Sequence, residues 1–101
     1  MKKNIRNKFR NDVFKRDNFK CRMCGDSISK LDAHHITDRK EIVNGGYVIE
    51  NGISLCDKEN GCHIKAEMFH NGRECQGYSP DDLYKKINSS YEIAYKKSER
   101  L

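Results

Sequence analysis

The chain has 101 residues, of which 36% are hydrophobic and 35% are charged, and its net charge is +5. A chain of this length forms one domain at most, and its thin apolar core favours an additional staple such as a metal ion. No apolar segment approaches the length of a membrane span, and no secretory leader is recognisable. We therefore expect a protein of the reducing cytoplasm without a membrane partner.

The positive charge is concentrated near the N-terminus. Residues 1–22 contain nine Lys and Arg against two Asp, a net of +7, whereas the remaining residues have a net of −2. Such a concentration of charge favours a polyanionic partner, above all a nucleic acid. A basic helix that is merely solvated is an equally good explanation of the charge alone.

The first 25 residues predict a helix followed by a tight turn. In residues 4–16, Ile5, Phe9 and Val13 recur every four residues, which predicts a helix with one apolar and one basic face. The next segment, FKCRMCG at 19–25, has the composition of a metal-binding knuckle.

The middle of the chain predicts two strands and a helix. Residues 31–37 and 53–56 read as an antiparallel hairpin joined by an irregular connection, with a loop at 38–47 that contains Gly45-Gly46. Residues 62–70 contain helix formers and meet no breaker until Asn71-Gly72, so they predict a helix.

The C-terminal tail predicts two further helices. Ser79, Pro80 and an acidic first turn predict the start of one, and Ser89 with Glu92 resembles a capping box for the other. An apolar stripe is predicted across both helices, formed by Leu83, Ile87, Tyr91, Ala94 and Tyr95.

The five cysteines predict a metal site rather than disulfides. Their number is odd, and cysteine clusters in a reducing compartment are more often metal ligands. Two pairs, Cys21 with Cys24 and Cys56 with Cys62, bracket the hairpin and could hold a structural Zn²⁺ ion. The wide second spacing leaves Cys75 as an alternative to Cys62, and a redox pair or free buried thiols as other readings.

Three histidines suggest a catalytic site. His34 and His35 are adjacent on a predicted strand, so their side chains should point to opposite faces. This arrangement suits a division in which one imidazole binds a metal and the other serves as a general base. His63, beside Cys62, could supply a second imidazole to that metal. His70 lacks such a context, and we predict a structural role for it.

The motifs in order resemble the HNH endonuclease family. The matching segments are VFKRDNFKCRMCG, LDAHHI, ENGISLC and CHIKAE, which together run from about residue 13 to residue 67. The resemblance implies an α+β fold with a small ββα-metal (His-Me finger) core and structural zinc knuckles, flanked by an N-terminal basic helix and C-terminal helices. It implies a single domain over 1–101, with a basic helix at 1–18, a core at 19–70 and a helical tail at 71–101.

The resemblance also implies roles for individual residues. His34 and His63 would hold one catalytic divalent cation (Mg²⁺, Mn²⁺, Ni²⁺ or Zn²⁺), and His35 would be the general base. Asn51, which local sequence alone would assign to a turn, would brace the loop and orient His35. The structural zinc would lie among Cys21, Cys24, Cys56 and Cys62.

Two acidic residues have less definite roles. Glu67 stands where many family members have a further histidine, and would be a carboxylate near the metal or have no role. Asp32 is either a partner that orients a histidine or an ordinary residue at a strand end.

The function implied is a metal-dependent DNA endonuclease that hydrolyses phosphodiester bonds. Basic residues would contact the DNA backbone and give salt-dependent affinity; the candidates are Lys2, Lys3, Arg6, Lys8, Arg10, Lys15, Arg16, Arg39 and Lys65. Whether the chain acts as a homodimer or with a phage or restriction partner protein is left open. The alternatives are a non-catalytic zinc-stabilised nucleic-acid-binding module and a zinc-dependent protein adaptor.

Overall fold

A computed structural model describes residues 2–101, with side chains from residue 4 onward. The elements in chain order are helix α1 (Lys2–Arg16), strand β1 (Leu31–His35), 3-10 turns at Val43–Gly46 and Ile49–Asn51, strand β2 (Gly52–Cys56), and helices α2 (Cys62–His70), α3 (Pro80–Lys86) and α4 (Tyr91–Glu99). The predicted α+β class with a ββα core is confirmed, and α2 has the predicted bounds. No helix in this described part is long and apolar enough to cross a membrane.

The two strands form an antiparallel hairpin between α1 and α2. His34 pairs with Ile53, and His35 pairs with Gly52. Every residue of β2 is buried, because α1 and α2 both contact this strand. The close approach of α1 requires a glycine at position 52, since an added Cβ would lie 2.5 Å from a Val13 methyl carbon and 2.7 Å from the Phe9 ring.

A buried ion pair at the end of α1 fixes the helix to β2. Asp17 is 3% exposed, and one of its carboxylate oxygens accepts a hydrogen bond from the Ser54 amide at 2.9 Å. Arg16 donates to Asp17 at 2.8 Å and to the carbonyl oxygens of Ile49 and Gly52 at 2.6 and 2.7 Å. These bonds satisfy charges and backbone groups that would be costly to bury unpaired.

The first tail helix is capped as predicted, and the second is not. Ser79 accepts from the Asp82 amide, and the Asp82 side chain accepts in return from the Ser79 amide, which completes a capping box. The prediction of Ser89 as the next cap is wrong. Ser90 caps α4 by accepting from the Ile93 amide, while the Ser89 hydroxyl donates to the Glu50 carbonyl at 2.8 Å.

The predicted apolar stripe across the tail is only partly correct. Leu83 and Ala94 are buried, but Tyr91 and Tyr95 are 43% and 38% exposed. The chain turns between the two helices, where Asn88 has a positive φ of 55°, so one stripe cannot continue across both. Each tail helix instead buries only a short face, and α4 packs on the Val43–Gly46 turn.

Candidate functional site

Four cysteine side chains converge at one end of the hairpin. The Sγ atoms of Cys21, Cys24, Cys56 and Cys62 lie within 4.8 Å of one another, and the Cys24–Cys56 distance is 3.8 Å. A tetrahedral zinc ion with Zn–S bonds of about 2.3 Å requires sulfur atoms about 3.8 Å apart. The half-buried thiol of Cys75 is not part of this group, so the structure favours Cys62 over Cys75 as the fourth member.

Local backbone geometry explains how the two pairs meet. Gly25 adopts a φ of +80° and donates to the Cys21 carbonyl at 2.9 Å, which closes the predicted knuckle. The longer second spacing folds back on itself at Gly61, where an added Cβ would lie 2.9 Å from the Cys56 carbonyl oxygen. The Cys62 amide thereby donates to the Cys56 sulfur at 3.3 Å, so the insertion does not move Cys62 out of the group.

The thiols experience opposite influences on ionisation. Burial raises the pKa of Cys62, and nearby thiols add to this effect. Burial also acts on Cys21, but backbone hydrogen bonds from Cys24, Cys56 and Met23 outweigh it and lower the pKa of that thiol to about 7. Four thiolates at this spacing require a cation among them, so the chemistry of the cluster fits a bound metal.

A second group of potential ligands surrounds His34. This imidazole is 2% exposed, and neither ring nitrogen has a hydrogen-bond partner among the described residues. Asp32 and His63 form one group of ligand atoms with it, and Glu67 and His70 form another, with all atoms of a group within 4.8 Å of one another. A buried imidazole with unsatisfied nitrogens, ringed by carboxylates and imidazoles, is suited to a divalent cation.

Helix α2 aligns the ligands opposite His34. His63, Glu67 and His70 are spaced by four and three residues, so they share one face of the helix. The His63 Nε2 atom lies 3.2 Å from an Asp32 oxygen and 3.3 Å from a Glu67 oxygen. The His34 imidazole, whose Nδ1 atom lies 3.4 Å from a Glu67 oxygen, outweighs the effect of burial and holds the pKa of Glu67 at about 2, so this carboxylate is ionised.

The structure brings His70 to the site, although its sequence context predicts only a structural role. Its ring stacks on His34 at a centroid distance of 5.2 Å, and its Nε2 atom lies 3.1 Å from the His35 carbonyl oxygen. The helical spacing from His63 and Glu67 was the signal that could have identified it. Asp32 and Glu67, for which the sequence left two readings, both lie beside the histidines.

His35 faces the opposite side of β1, as expected for consecutive residues of a strand. Its ring stacks on Phe9 at 4.4 Å and meets the Tyr47 ring edge-on at 4.9 Å. Burial, followed by the nearby His34 and Arg39, lowers the pKa of His35 to about 4. The imidazole is therefore neutral at physiological pH and able to accept a proton.

Asn51 braces the loop that follows β1. It is fully buried, and its side-chain oxygen accepts from the Thr37 amide at 3.0 Å and the Tyr84 hydroxyl at 2.7 Å. Its Nδ2 donates to the carbonyl oxygens of Thr37 and Gly46 at 3.1 and 3.2 Å. The Asn51 side chain, rather than a paired strand, therefore satisfies the backbone of Thr37. As a result, β1 ends at His35, two residues earlier than predicted.

We predict that Asn51→Ala destabilises the protein strongly. The substitution leaves several buried polar groups without partners, each costing about 1–3 kcal/mol, so the free energy of unfolding should fall by about 3–5 kcal/mol. Urea unfolding followed by circular dichroism measures this loss. Asn11→Ala, at an exposed position of α1, is the control and should change the value by less than about 0.5 kcal/mol. Equal stability of both variants would contradict the bracing role.

Some predicted DNA-contacting residues lie near His35, and others do not. Arg6, Arg10 and Arg39 line a groove beside the His35 ring. Lys65 instead lies over the Tyr78 ring, with 5.6 Å between its Nζ atom and the ring centroid. The guanidinium of Arg16 is engaged in the internal hydrogen bonds described above, which leave it little capacity for a phosphate.

The remaining candidates are on α1. Lys15 is exposed, and Lys8 forms an exposed ion pair with Asp12 at 2.8 Å. The side chains of Lys2 and Lys3 lie outside the part of the chain that the structure describes.

A comparison with protein families agrees with the order of the motifs and with the two groups of potential metal ligands. Residues 21–67 match the family model for the HNH endonuclease. Residues 21–67, just under half of the chain, are thus similar to an HNH domain. No curated protein and no solved structure matches the chain. The HNH match includes the four clustered cysteines, His34, His35, Asn51 and His63, but it leaves out His70 and all of α1.

Two residues beside His35 could not be identified from the HNH motifs. Phe9 belongs to α1, and Tyr47 follows the irregular 3-10 turn, yet both contact the imidazole ring. The sequence marks Phe9 only as an apolar residue of a helix, and Tyr47 only as the end of a loop. Their proximity to His35 depends on how α1 packs against the hairpin.

Proposed function

We propose that the protein is a metal-dependent DNA endonuclease that hydrolyses phosphodiester bonds. The HNH domain supports a nuclease-type function in general. The observation that carries the proposal is the division between two consecutive histidines. His34 lies buried among potential metal ligands, and His35 is a neutral imidazole on the opposite side of the same strand.

A divalent cation would be held by His34 and His63. Asp32 completes one group of ligands with them, and Glu67 lies close enough to take part. When bound, such an ion neutralises charge on the scissile phosphate and the leaving oxygen. The mixed nitrogen and oxygen donors are compatible with Mg²⁺, Mn²⁺, Ni²⁺ or Zn²⁺. A separate structural Zn²⁺ would be bound by Cys21, Cys24, Cys56 and Cys62.

His35 would act as the general base. Its neutral imidazole accepts a proton from the attacking water, while Phe9 and Tyr47 restrict the orientation of the ring. Asn51 fixes the backbone directly after His35 and so holds the base in place. Because Phe9 comes from α1, we infer that residues 1–101 work as one nuclease domain.

The DNA would lie along the basic groove beside His35 and the exposed face of α1. Arg6, Arg10 and Arg39 line the groove, and Lys8 and Lys15 extend the positive charge along the helix. Such phosphate contacts supply affinity without reading the sequence, so binding should weaken steeply as salt rises. The contacts of Arg16 and Lys65 within the protein make these two residues weaker candidates.

Plasmid cleavage at low salt tests the proposal. Purified protein, whose zinc content has been verified, is incubated with supercoiled plasmid in separate reactions. Each reaction contains one added ion: Mg²⁺, Mn²⁺, Ni²⁺ or Zn²⁺. We expect nicked or linear product with at least one ion and none without added ion. DNA binding with no product under any of these ions would instead support a non-catalytic nucleic-acid-binding module.

We also predict that cleavage persists below the ordinary histidine pKa of 6.5, because burial lowers the pKa of His35 to about 4. The neutral imidazole is the active form, so the rate should fall only as the pH approaches that lower value. The measurement is the cleavage rate against pH at two concentrations of the activating ion. Loss of the ion through ligand protonation shifts with ion concentration, whereas titration of the base does not. A half-maximal rate near pH 6.5 at both concentrations would contradict the prediction.

A further inference from the structure

Tyr47 forms one wall of the groove beside His35. Its ring is half-buried and packs edge-on against the rings of His35 at 4.9 Å and Phe9 at 5.8 Å. Gly45 makes room for it, because an added Cβ there would lie 2.6 Å from a Tyr47 ring carbon. Contacts on three sides therefore fix the ring and aim its hydroxyl in a definite direction.

Two guanidinium groups approach that hydroxyl from different elements. Arg6 comes from α1 and Arg39 from the loop after β1, and together with Tyr47 they line two adjoining grooves. Burial of the phenol is outweighed by hydrogen bonding to Arg39 and Arg6, so the pKa of Tyr47 is lowered. Both guanidinium groups belong to exposed side chains and keep donors available to a further ligand.

The charges around this point favour an anion. Asp32 lines the groove of Arg6 and Arg39, and Asp38 lines an adjoining groove with Arg39, but neither carboxylate forms an ion pair with Arg6 or Arg39 among the described residues. Arg6 and Arg39 line the same grooves and repel each other, and an anion bound between them would relieve this repulsion. Planar guanidinium groups bind phosphate oxygens with paired hydrogen bonds.

We propose that Arg6, Arg39 and Tyr47 form a subsite for a single backbone phosphate of the DNA, next to the phosphate that is cut. The proposal rests on the function proposed above and adds the residues that hold the strand beside the base. Both guanidinium groups and the Tyr47 hydroxyl donate hydrogen bonds to the same phosphate. Since the Tyr47 ring also contacts His35, the subsite places the strand directly beside the imidazole.

A binding cycle with chemically neutralised phosphates tests the subsite. The probe is a short DNA duplex in which one phosphate at a time is replaced by an uncharged methylphosphonate, measured without added divalent ion so that no cleavage occurs. We expect one position at which this change weakens wild-type binding about 10-fold. Arg6→Gln, Arg39→Gln and the double variant should lose affinity for the normal duplex but become insensitive to that position.

Salt dependence distinguishes one shared phosphate from two separate ones. Each phosphate contact contributes about 0.9 to the slope of log affinity against log salt. The slope should therefore fall by about 0.9 in the Arg6→Gln, Arg39→Gln double variant. Each single variant should show the same decrease, because the two arginines bind the same phosphate. Tyr47→Phe keeps the ring and should weaken binding about 3-fold with little change in slope, since one neutral hydrogen bond is lost. Lys96→Gln, an equal charge change on exposed α4, should retain the wild-type pattern.

Two results would overturn the subsite. One is a methylphosphonate pattern in the double variant that equals the wild-type pattern. The other is a loss of slope in the double variant equal to the sum of those in the single variants. Failure of the nuclease proposal is separate, because it appears as absence of plasmid cleavage by the wild type. The subsite is then still judged by the binding cycle, which requires no cleavage.

Discussion

Replacing Cys56 with serine should unfold most of the protein. A structural zinc site can contribute on the order of 10 kcal/mol to folding, which is comparable to the whole stability of a small domain. Cys56 is buried, pairs with Cys24 at 3.8 Å, and accepts a hydrogen bond from the Cys62 amide. The variant should show reduced bound zinc by atomic absorption and a loss of secondary structure by circular dichroism. Strong chelation of the wild type should give the same result, reversed by added zinc.

Cys75→Ser is the matched control for this experiment. Cys75 is half-buried and does not belong to the group of four sulfur atoms, so its substitution should leave zinc content and unfolding unchanged. If Cys75→Ser lost zinc while Cys56→Ser retained it, the assignment of the four ligands would be wrong. Normal folding of fully zinc-free wild type would contradict the stabilising role of the site.

His35→Ala should abolish DNA cleavage while leaving the fold and the bound zinc intact. Loss of a general base costs about 10²–10⁴-fold in rate, and the substitution does not touch the side chains around His34. The measurement is the rate of plasmid nicking per mole of folded protein with the activating ion. DNA affinity should stay close to the wild-type value, because His35 supplies no positive charge at neutral pH.

Tyr91→Ala serves as the control for the loss of an aromatic ring. Tyr91 is 43% exposed on α4, away from the hairpin strands, and its substitution should leave the cleavage rate unchanged. If His35→Ala cut plasmid at the wild-type rate, either another residue would activate water or the activity would belong to a contaminant. The position of His35 beside Phe9 would then serve packing alone.

Local sequence signals predicted the elements of the core better than the contacts between them. The bounds of α2 followed from helix formers between Cys62 and a terminating Asn71-Gly72, and opposite orientation of His34 and His35 follows from strand geometry. The spacing from Ser89 to Glu92 predicts a capping box that begins at Ser89, yet the neighbouring Ser90 caps α4. The choice depends on the Glu50 carbonyl, a contact between residues far apart in the chain.

The missed site residues share a similar cause. His70 approaches His34 only once α2 packs on the hairpin, and Phe9 reaches His35 only because position 52 is a glycine. Arg16 looked like any other cation of a basic helix, yet it is committed to backbone carbonyl groups of the hairpin connection. Tertiary packing decides these cases, and a local pattern contains no record of it.

Strand β1 would keep the two proposed chemical tasks, metal binding and proton transfer, on opposite sides of the hairpin. Differences in the size or charge of the bound cation would act on the α2 side, among His34, His63 and Glu67. The affinity of His35 for a proton is set mainly on the α1 side by burial against aromatic rings, and His34 and Arg39 lower it further. The hydrogen-bonding contact between His70 and the His35 carbonyl is a direct bridge between the two sides. Substitutions of His63 or Glu67 could therefore change the preferred metal with little effect on the pKa of His35, provided that this bridge is kept.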